Sequence, residues 1–335
     1  KDSIDEDVRK LVASVCTSAL KSKFKTYEPM GKVYLNPEFK NHVVPFALRS
    51  SNDTKVTMTR GSSIPIKDDA KTIRGFIWWT NNSELDRTDI DLSAVFYDKD
   101  WNYHDHVSYT NLRNSYAYHS GDFIDGGSVD GDGVAEFLDI DKEALKEAGI
   151  AYAVFQVHNY TGSKYSDMPN CKFGWMERED MHSGELFEPK TVKQAMDLIS
   201  PSFSVVPVIY DVERNRFIWA DMTVGRDYNY GNNVENTLSQ AAAACYSVVN
   251  MQKPNLYDLI KMHVEARGGV FTNNKEEADL IFDMEKDKDY EVITPYDFDV
   301  FISEYIEYKG EKEVKEVNKE EKDDVRYIIE EDLDR

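Results

Sequence analysis

The sequence predicts a mainly β protein with flanking α-helices, built around an antiparallel β-sandwich. Residues 72–224 hold roughly eight short segments rich in β-branched and aromatic residues, with turns about every 8 to 12 residues, a spacing typical of a sandwich. In the clearest segment, Asp89–Tyr97, apolar residues alternate with mostly polar ones, which indicates a half-buried strand. Helical periodicity is strongest outside this region, in residues 3–24 and 233–266.

Four units follow from these patterns. In chain order they are an N-terminal helix and short-strand extension (1–70), the sandwich (71–225), a C-terminal mostly helical module (226–308) and a charged tail (309–335).

Four segments outside the clear strands also receive a prediction. Within the sandwich, Thr191–Ser200 is predicted to be helical or irregular. In the C-terminal module, helices are predicted over Asn233–Met251 and Leu256–Ala266, with a last helix at Asp297–Tyr305. The tail is highly charged and has few large apolar residues, so it is predicted to be a solvated helix or disordered.

The first helix is predicted over residues 3–24. Ser3 and Glu6 match a capping box. Acidic residues lie at the start of the helix and lysines at its end, as the helix dipole favours. The apolar residues that follow at helical spacing are Val8, Leu11, Val12, Val15, Cys16 and Leu20. We interpret this segment as a docking or packing helix without chemistry.

Composition narrows the classes of function. The formal net charge is −22, from 62 acidic and 40 basic residues, which argues against direct binding to nucleic acid or anionic membranes and suits cations or basic proteins. No apolar run approaches the ~20 residues that span a bilayer. Three widely spaced cysteines indicate a reducing, cytoplasmic location rather than a disulfide framework.

The stretch Tyr118–Asp141 is the strongest candidate for a binding site. It contains five glycines, which permit tight turns. Clustered carboxylates repel one another unless a cation lies among them, and Ca²⁺ takes six to eight oxygen ligands. A solvated polar turn accounts for the same composition, so the residues alone leave both interpretations open. The carboxylates concerned are Asp122, Asp125, Asp130, Asp132 and Glu136.

The loop does not match an EF-hand. If Asp125 is position 1, Glu136 falls at position 12, but Gly127, Val129 and Asp130 then occupy positions 3, 5 and 6, where that loop needs oxygen ligands and a glycine. Further oxygens would have to come from elsewhere in the fold.

Three motifs in the central region resemble the TerD-like domain of tellurium-resistance and stress-response proteins. They are the strand motif DIDLSAVFYDKDW at Asp89–Trp101, the segment VSYTNLRNSYAYHSGD at Val107–Asp122 and the loop GSVDGDGVAEFLDID at Gly127–Asp141. Their order and spacing both agree with that family, over about residues 72–224. This chain departs from the family where a run of consecutive acidic residues is reduced to Val134-Ala135-Glu136.

The resemblance implies a β-sandwich that binds calcium through acidic loops. It adds the strand residues Asp89 and Asp91 to the loop carboxylates, so that the implied Ca²⁺ ligands are Asp89, Asp91, Asp122, Asp125, Asp130, Asp132 and Glu136. For the site to exist, the two strand aspartates must point into the same concavity as Asp122 and Asp132.

Three functions are compatible with these features. The first is a non-enzymatic, calcium-binding scaffold that joins protein partners in a bacterial or phage stress or defence complex. The second is a metal-dependent phosphodiesterase or other hydrolase, for which His119 is the local base candidate. The third is an acidic interaction protein whose metal is purely structural. We expect a non-enzymatic protein, because no catalytic constellation can be assembled from the spacing.

Overall fold

Two antiparallel sheets form the centre of the protein, as predicted. The structure, a computed structural model, describes residues 5–44, 58–83, 87–178, 192–224, 234–251 and 253–297. In these residues one sheet has five strands and the other has six. The fold class predicted from the sequence is therefore confirmed.

The five-stranded sheet carries the strand that follows the acidic loop. Its central strand, β3, pairs with β7 on one side and β9 on the other, antiparallel in both cases. Across the sheet the strands are β10 (Val192–Asp197), β9 (Cys171–Arg178), β3 (Thr72–Trp79), β7 (Val134–Asp141) and β6 (Ala117–His119). The presence of β10 corrects the prediction for Thr191–Ser200. This segment pairs with β9 across a register shift, and such an irregularity obscures the alternation by which a strand is recognised.

The six-stranded sheet carries the strand of the first motif. Its strands run in the order β2 (Ser63–Pro65), β12 (Arg216–Thr223), β11 (Ser204–Asp211), β8 (Tyr152–Asn159), β4 (Ile90–Tyr97) and β5 (Tyr103–Val107). A short helix, α2 (Lys142–Glu147), connects β7 to β8. The acidic side chain of Asp141 caps this helix by accepting hydrogen bonds from the amides of Glu143 and Ala144.

The main hydrophobic core lies between the two sheets. One face of β4, with Ile90 and Leu92, packs there together with Phe155 of β8. Gly75 of β3 lies directly against Phe155, since a Cβ atom at this glycine would stand 2.4 Å from the ring. The glycine therefore allows the aromatic ring to fill the space between the sheets.

The second face of β4 is buried too, which corrects the half-buried strand of the sequence interpretation. Helix α3 (Leu238–Val249) covers part of the six-stranded sheet, and its Cys245 packs in one cluster with Val95 and Tyr97 of β4. The Tyr97 hydroxyl donates a hydrogen bond to the Leu238 carbonyl at 2.8 Å. Alternation within a strand identifies its two faces but does not show that a helix distant in sequence covers the more polar one.

A small parallel sheet joins the two ends of the described chain. Its second strand, β1, lies between β13 and β14 and pairs in parallel with both. The order is β13 (Val270–Phe271), β1 (Lys32–Leu35), β14 (Leu280–Phe282) and β15 (Val292–Ile293). Residues of the predicted N-terminal extension and of the predicted C-terminal module thus share one sheet, and the sandwich is inserted between β1 and helix α4 (Leu256–Ala266).

Two helices accompany this parallel sheet. Helix α4 (Leu256–Ala266) buries Ile260 and Val264 in the core that also holds Val33 of β1. Helix α1 (Glu6–Phe24) precedes β1 and is capped by Asp5, whose side chain accepts hydrogen bonds from two amides of the first turn. The capping box predicted for Ser3 falls outside the described residues.

Three further predictions concern the C-terminal part of the chain. The helix predicted from Asn233 is observed as α3, with its described start at Leu238. The helix predicted over Asp297–Tyr305 and the tail 309–335 lie, apart from Asp297, outside the described residues. Within the part of the chain that is described, no helix has both the length and the apolar character to cross a membrane.

Candidate metal centre

Three aspartates from two separate parts of the chain meet at one end of the sandwich. One carboxylate oxygen of each of Asp89, Asp91 and Asp122 lies within 4.8 Å of the other two. Asp89 immediately precedes β4, Asp91 is the second residue of that strand, and Asp122 follows β6 in the acidic loop. Two of the family-implied strand positions and one loop position are therefore brought together.

The three aspartates differ in their exposure to solvent. Asp91 is buried, with 3% of its surface exposed, Asp89 is half-buried and Asp122 is exposed. The group therefore extends from the interior of the fold to its surface. Asp122 marks the side on which the group meets solvent.

The electrostatics of the group are unfavourable for three ionised carboxylates. Burial and the neighbouring Asp89, Glu136 and Asp122 raise the pKa of Asp91 to about 9. Burial, Asp122 and Glu136 raise the pKa of Asp89 to about 6. Every cause named for these two shifts favours the protonated form, so a cation in the group would reverse the balance.

Two oxygens of the group are buried without a partner. Neither Oδ1 of Asp89 nor Oδ2 of Asp91 has a hydrogen-bond partner among the residues that the structure describes. A buried carboxylate oxygen without a donor costs free energy of desolvation. A metal ion is one way to satisfy both atoms at once, because oxygen ligands are what hard cations require.

Glu136 supports the group through the backbone. Its side chain is fully buried, and its Oε2 accepts a hydrogen bond from the Leu92 amide at 2.8 Å, while Oε1 accepts one from the Phe123 amide at 3.0 Å. These amides belong to the residues that directly follow Asp91 and Asp122. One carboxylate thus holds the strand and the loop in register.

His119 completes this support. Its Nδ1 accepts a hydrogen bond from the Gly121 amide at 3.2 Å, which assigns the proton to Nε2. Nε2 lies 2.9 Å from the Leu92 carbonyl and 3.4 Å from Oε2 of Glu136. Because both ring nitrogens are engaged and the side chain is buried, the imidazole is placed to fix the loop after β6.

The three carboxylate oxygens are close enough to bind one calcium ion. Ca²⁺ binds oxygen at about 2.3–2.6 Å, so two oxygens on opposite sides of the ion are about 4.6–5.2 Å apart. The three aspartate oxygens, within 4.8 Å of one another, fit this span.

The other loop aspartates lie apart from the group. Asp125 is held by Asn81, whose Nδ2 donates at 2.8 Å, and by Arg87 at 3.2 Å. The Asn81 hydrogen bond, the Gly127 amide and Arg87 lower the pKa of Asp125. A carboxylate with these partners has its charge compensated by the protein itself.

Asp130 and Asp132 are both exposed, and neither belongs to the group of three, which includes only described residues. The Asp132 carbonyl accepts a hydrogen bond from Trp78 Nε1 at 2.9 Å. The next residue, Gly133, has φ of +70°, and a Cβ there would lie 2.6 Å from the same nitrogen. This end of the loop is therefore fastened over a tryptophan of β3.

Sequence reasoning missed the supporting contacts. It did not anticipate the backbone anchors of Glu136 or the Asn81 and Arg87 contacts of Asp125. It also missed the hydrogen bond from the Tyr160 amide to the Asp89 carbonyl at 2.9 Å. All join residues distant in sequence, and the chain carries no local signal for such pairs.

No protein-family model and no curated protein matches this chain. Among solved structures, a protein of unknown function is 16% identical with a TM-score of 0.38, over 48% of this chain and 93% of its own. A homologue of the telluride resistance protein TerD from Streptomyces coelicolor A3(2) is 15% identical with a TM-score of 0.37, over 47% of this chain and 92% of its own.

Proposed function

We propose that this chain is a non-enzymatic, calcium-binding scaffold protein. The observation that supports calcium binding most strongly is the convergence of Asp89, Asp91 and Asp122 within 4.8 Å, together with the two buried oxygens that lack a partner. In this proposal Asp89, Asp91 and Asp122 bind the ion, and Glu136 positions them. Water and backbone carbonyls would supply the remaining oxygens of a six-to-eight-coordinate site.

A scaffold is favoured over a hydrolase by the state of the local base. A hydrolytic site needs a base that can reach a metal-bound water. His119, the candidate for that role, is buried and has both ring nitrogens in hydrogen bonds. These contacts therefore favour an ion-binding role for the three aspartates and a structural role for His119.

The biological setting is proposed from the resemblance and from charge. The TerD-like motifs suggest a stress or defence complex of bacteria or phages, in which this protein joins other proteins. A net charge of −22 favours basic protein partners over nucleic acid. The three cysteines are all free, which suits the cytoplasmic location expected from the sequence.

Thermal melting with and without calcium tests the proposal. We expect 1 mM CaCl₂ to raise the melting temperature relative to a chelator, since an ion that binds only the folded state stabilises it. Asp122→Asn should abolish the increase, and Asp130→Asn, which changes an exposed aspartate of the same loop, should retain it. An unchanged melting curve of the wild-type protein at millimolar calcium would refute the proposed site.

A second experiment separates regulation from a structural role of the metal. Partner proteins captured by the wild-type chain are compared with and without chelator, at a temperature where both forms remain folded. Capture that depends on calcium supports a scaffold whose binding is regulated by the ion. Capture that is independent of calcium supports an acidic interaction protein with a purely structural metal.

A further inference from the structure

Helix α1 presents large apolar side chains to solvent. Val8, Leu11, Val12 and Val15 are each about half exposed or more, up to 65% for Leu11. At 3.6 residues per turn these side chains lie on one side of the helix, together with Ala19. An exposed stripe of this kind marks a surface that binds another protein surface.

The described contacts of α1 with the rest of the chain are concentrated at its C-terminal end. Lys21 pairs with Glu265 at 2.8 Å, and the Phe24 ring stacks on His263 with centroids 3.6 Å apart. Phe24 is the buried residue of the helix. An isolated helix of this length is marginal in water, because helix stability in proteins comes mostly from packing of an amphipathic face.

We propose that α1 pairs in antiparallel fashion with α1 of a second copy of this chain, about a two-fold axis at Val15. The charges of the helix are arranged for this pairing. Asp5 and Lys23 are eighteen residues apart, as are Asp7 and Lys25, and eighteen residues are five full turns. Each acidic residue therefore shares one flank of the stripe with a lysine at the other end of the helix.

An antiparallel pair brings opposite charges together on both flanks. A two-fold axis at Val15 places Asp5 and Asp7 of one helix beside Lys23 and Lys25 of the other. A parallel pair would place acidic residues against acidic residues and lysines against lysines, which is destabilising. The pairs of Asp5 with Lys23 and of Asp7 with Lys25 are thus complementary in one orientation of the two helices.

Side-chain size follows the same symmetry. With the axis at Val15, the half of the stripe that holds the large residues Val8, Leu11 and Val12 faces the half of the partner stripe that holds the small residues Ser18, Ala19 and Ser22. Large side chains against small ones let two helices approach closely. A C₂ interface requires that one surface be complementary to itself, and this stripe meets that condition in both charge and size.

Disulfide cross-linking tests the proposed geometry. In the full chain with Cys16→Ser, Val15→Cys should form a disulfide-linked dimer on mild oxidation, because the two side chains meet at the axis. Val8→Cys in the same background should not, since the two positions would be roughly 21 Å apart along the helix, far beyond disulfide reach. Mixing Val8→Cys with Ser22→Cys chains should restore the link.

Cross-linking of Val8→Cys to itself would contradict the antiparallel arrangement, and failure of Val15→Cys to cross-link would contradict the axis. The mass in solution gives an independent test. Wild-type protein should be dimeric at tens of micromolar by light scattering, and Val15→Glu should weaken the dimer by at least about tenfold, because a charge would be buried at its centre. Ala13→Glu, on the opposite side of the helix, should leave the dimer intact.

The oligomeric state of the wild type can also overturn the proposal. A wild-type chain that stays monomeric at these concentrations excludes the second copy, and a lowered melting temperature of monomeric Val15→Glu would then indicate that another segment of the same chain covers the stripe. The test does not depend on the metal, since dimerisation through α1 should be the same with calcium and with chelator. A failed calcium experiment would therefore leave this inference standing, and the reverse also holds.

Discussion

The buried carboxylate of Glu136 accepts a hydrogen bond from the backbone amide of Leu92 at 2.8 Å. Leu92 follows Asp91, so this contact fixes the backbone at the deepest of the candidate ligands. The other oxygen of Glu136 accepts from the Phe123 amide, directly after Asp122. The two halves of the candidate metal centre are thus joined through one side chain that need not bind the ion.

Glu136→Gln should separate positioning from ligation. The substitution replaces one acceptor oxygen by an amide group, so that the backbone amide of either Leu92 or Phe123 loses its partner, at a cost of about 1–3 kcal/mol. Urea unfolding of the metal-free protein should show this loss. Asp122→Asn, at an exposed ligand, should leave the metal-free stability within about 0.5 kcal/mol while calcium affinity falls. If Glu136→Gln left the metal-free stability unchanged, the positioning role would be wrong.

The stability of the metal-free protein should depend on pH through Asp91. Its pKa in the folded state, about 9, lies above its ordinary value of 3.8, so ionisation disfavours the folded state. Stability is therefore lost as the pH rises towards 9, and the melting temperature in chelator should increase as the pH falls from 9 to 6.

Asp91→Asn provides the control for this pH dependence. The variant has no proton to lose at this position, so it should melt at a higher temperature than the wild type at pH 8 in chelator and show a flatter pH profile. It should also fail to respond to calcium. A profile identical to that of the wild type would assign the pH dependence to other groups.

Calcium binding should release protons. At pH 7.5 the Asp91 carboxyl, with its pKa of about 9, is mostly protonated, whereas Asp89, with a pKa of about 6, is mostly ionised. A bound cation ionises both, so close to one proton should leave per ion. Calorimetry in buffers of different ionisation enthalpy measures this number, and a value near zero would contradict the site.

Gly75→Ala should destabilise the sandwich. Its Cβ would stand 2.4 Å from a carbon of the Phe155 ring, and overpacking of this kind typically costs about 1–3 kcal/mol. The double variant Gly75→Ala with Phe155→Leu should recover part of the loss, because the smaller side chain vacates the space. Denaturant unfolding of the two single variants and the double variant checks the coupling, and strictly additive effects would contradict direct packing.

The sandwich was accessible from sequence because alternation and turn spacing are local signals. The burial of the face of β4 that carries Asp91 could not be predicted in this way, because it depends on α3 and other residues far along the chain. The parallel sheet was missed for a related reason. Strands of two to four residues, such as β13 and β1, are too short to show a period, and their pairing joins positions more than two hundred residues apart.

The candidate site could be predicted in part from the sequence. A resemblance to a known family placed Asp89 and Asp91 with the acidic loop, and the structure brings both to Asp122. Loop composition could not rank the remaining carboxylates. Asp125 lies beside Asn81 and Arg87, and Asp132 ends a turn fastened to Trp78. Aspartates of the same loop thus have different environments, because their neighbours come from distant parts of the sequence.

Isothermal titration of the full chain with CaCl₂ at pH 7.5 tests the central claim most directly, by comparing the wild type with Asp91→Asn and with Asp132→Asn. We predict saturable binding of one ion per chain for the wild type, the same binding for Asp132→Asn and none for Asp91→Asn. Binding that survives Asp91→Asn, or that is lost with Asp132→Asn alone, would contradict a centre formed by Asp89, Asp91 and Asp122.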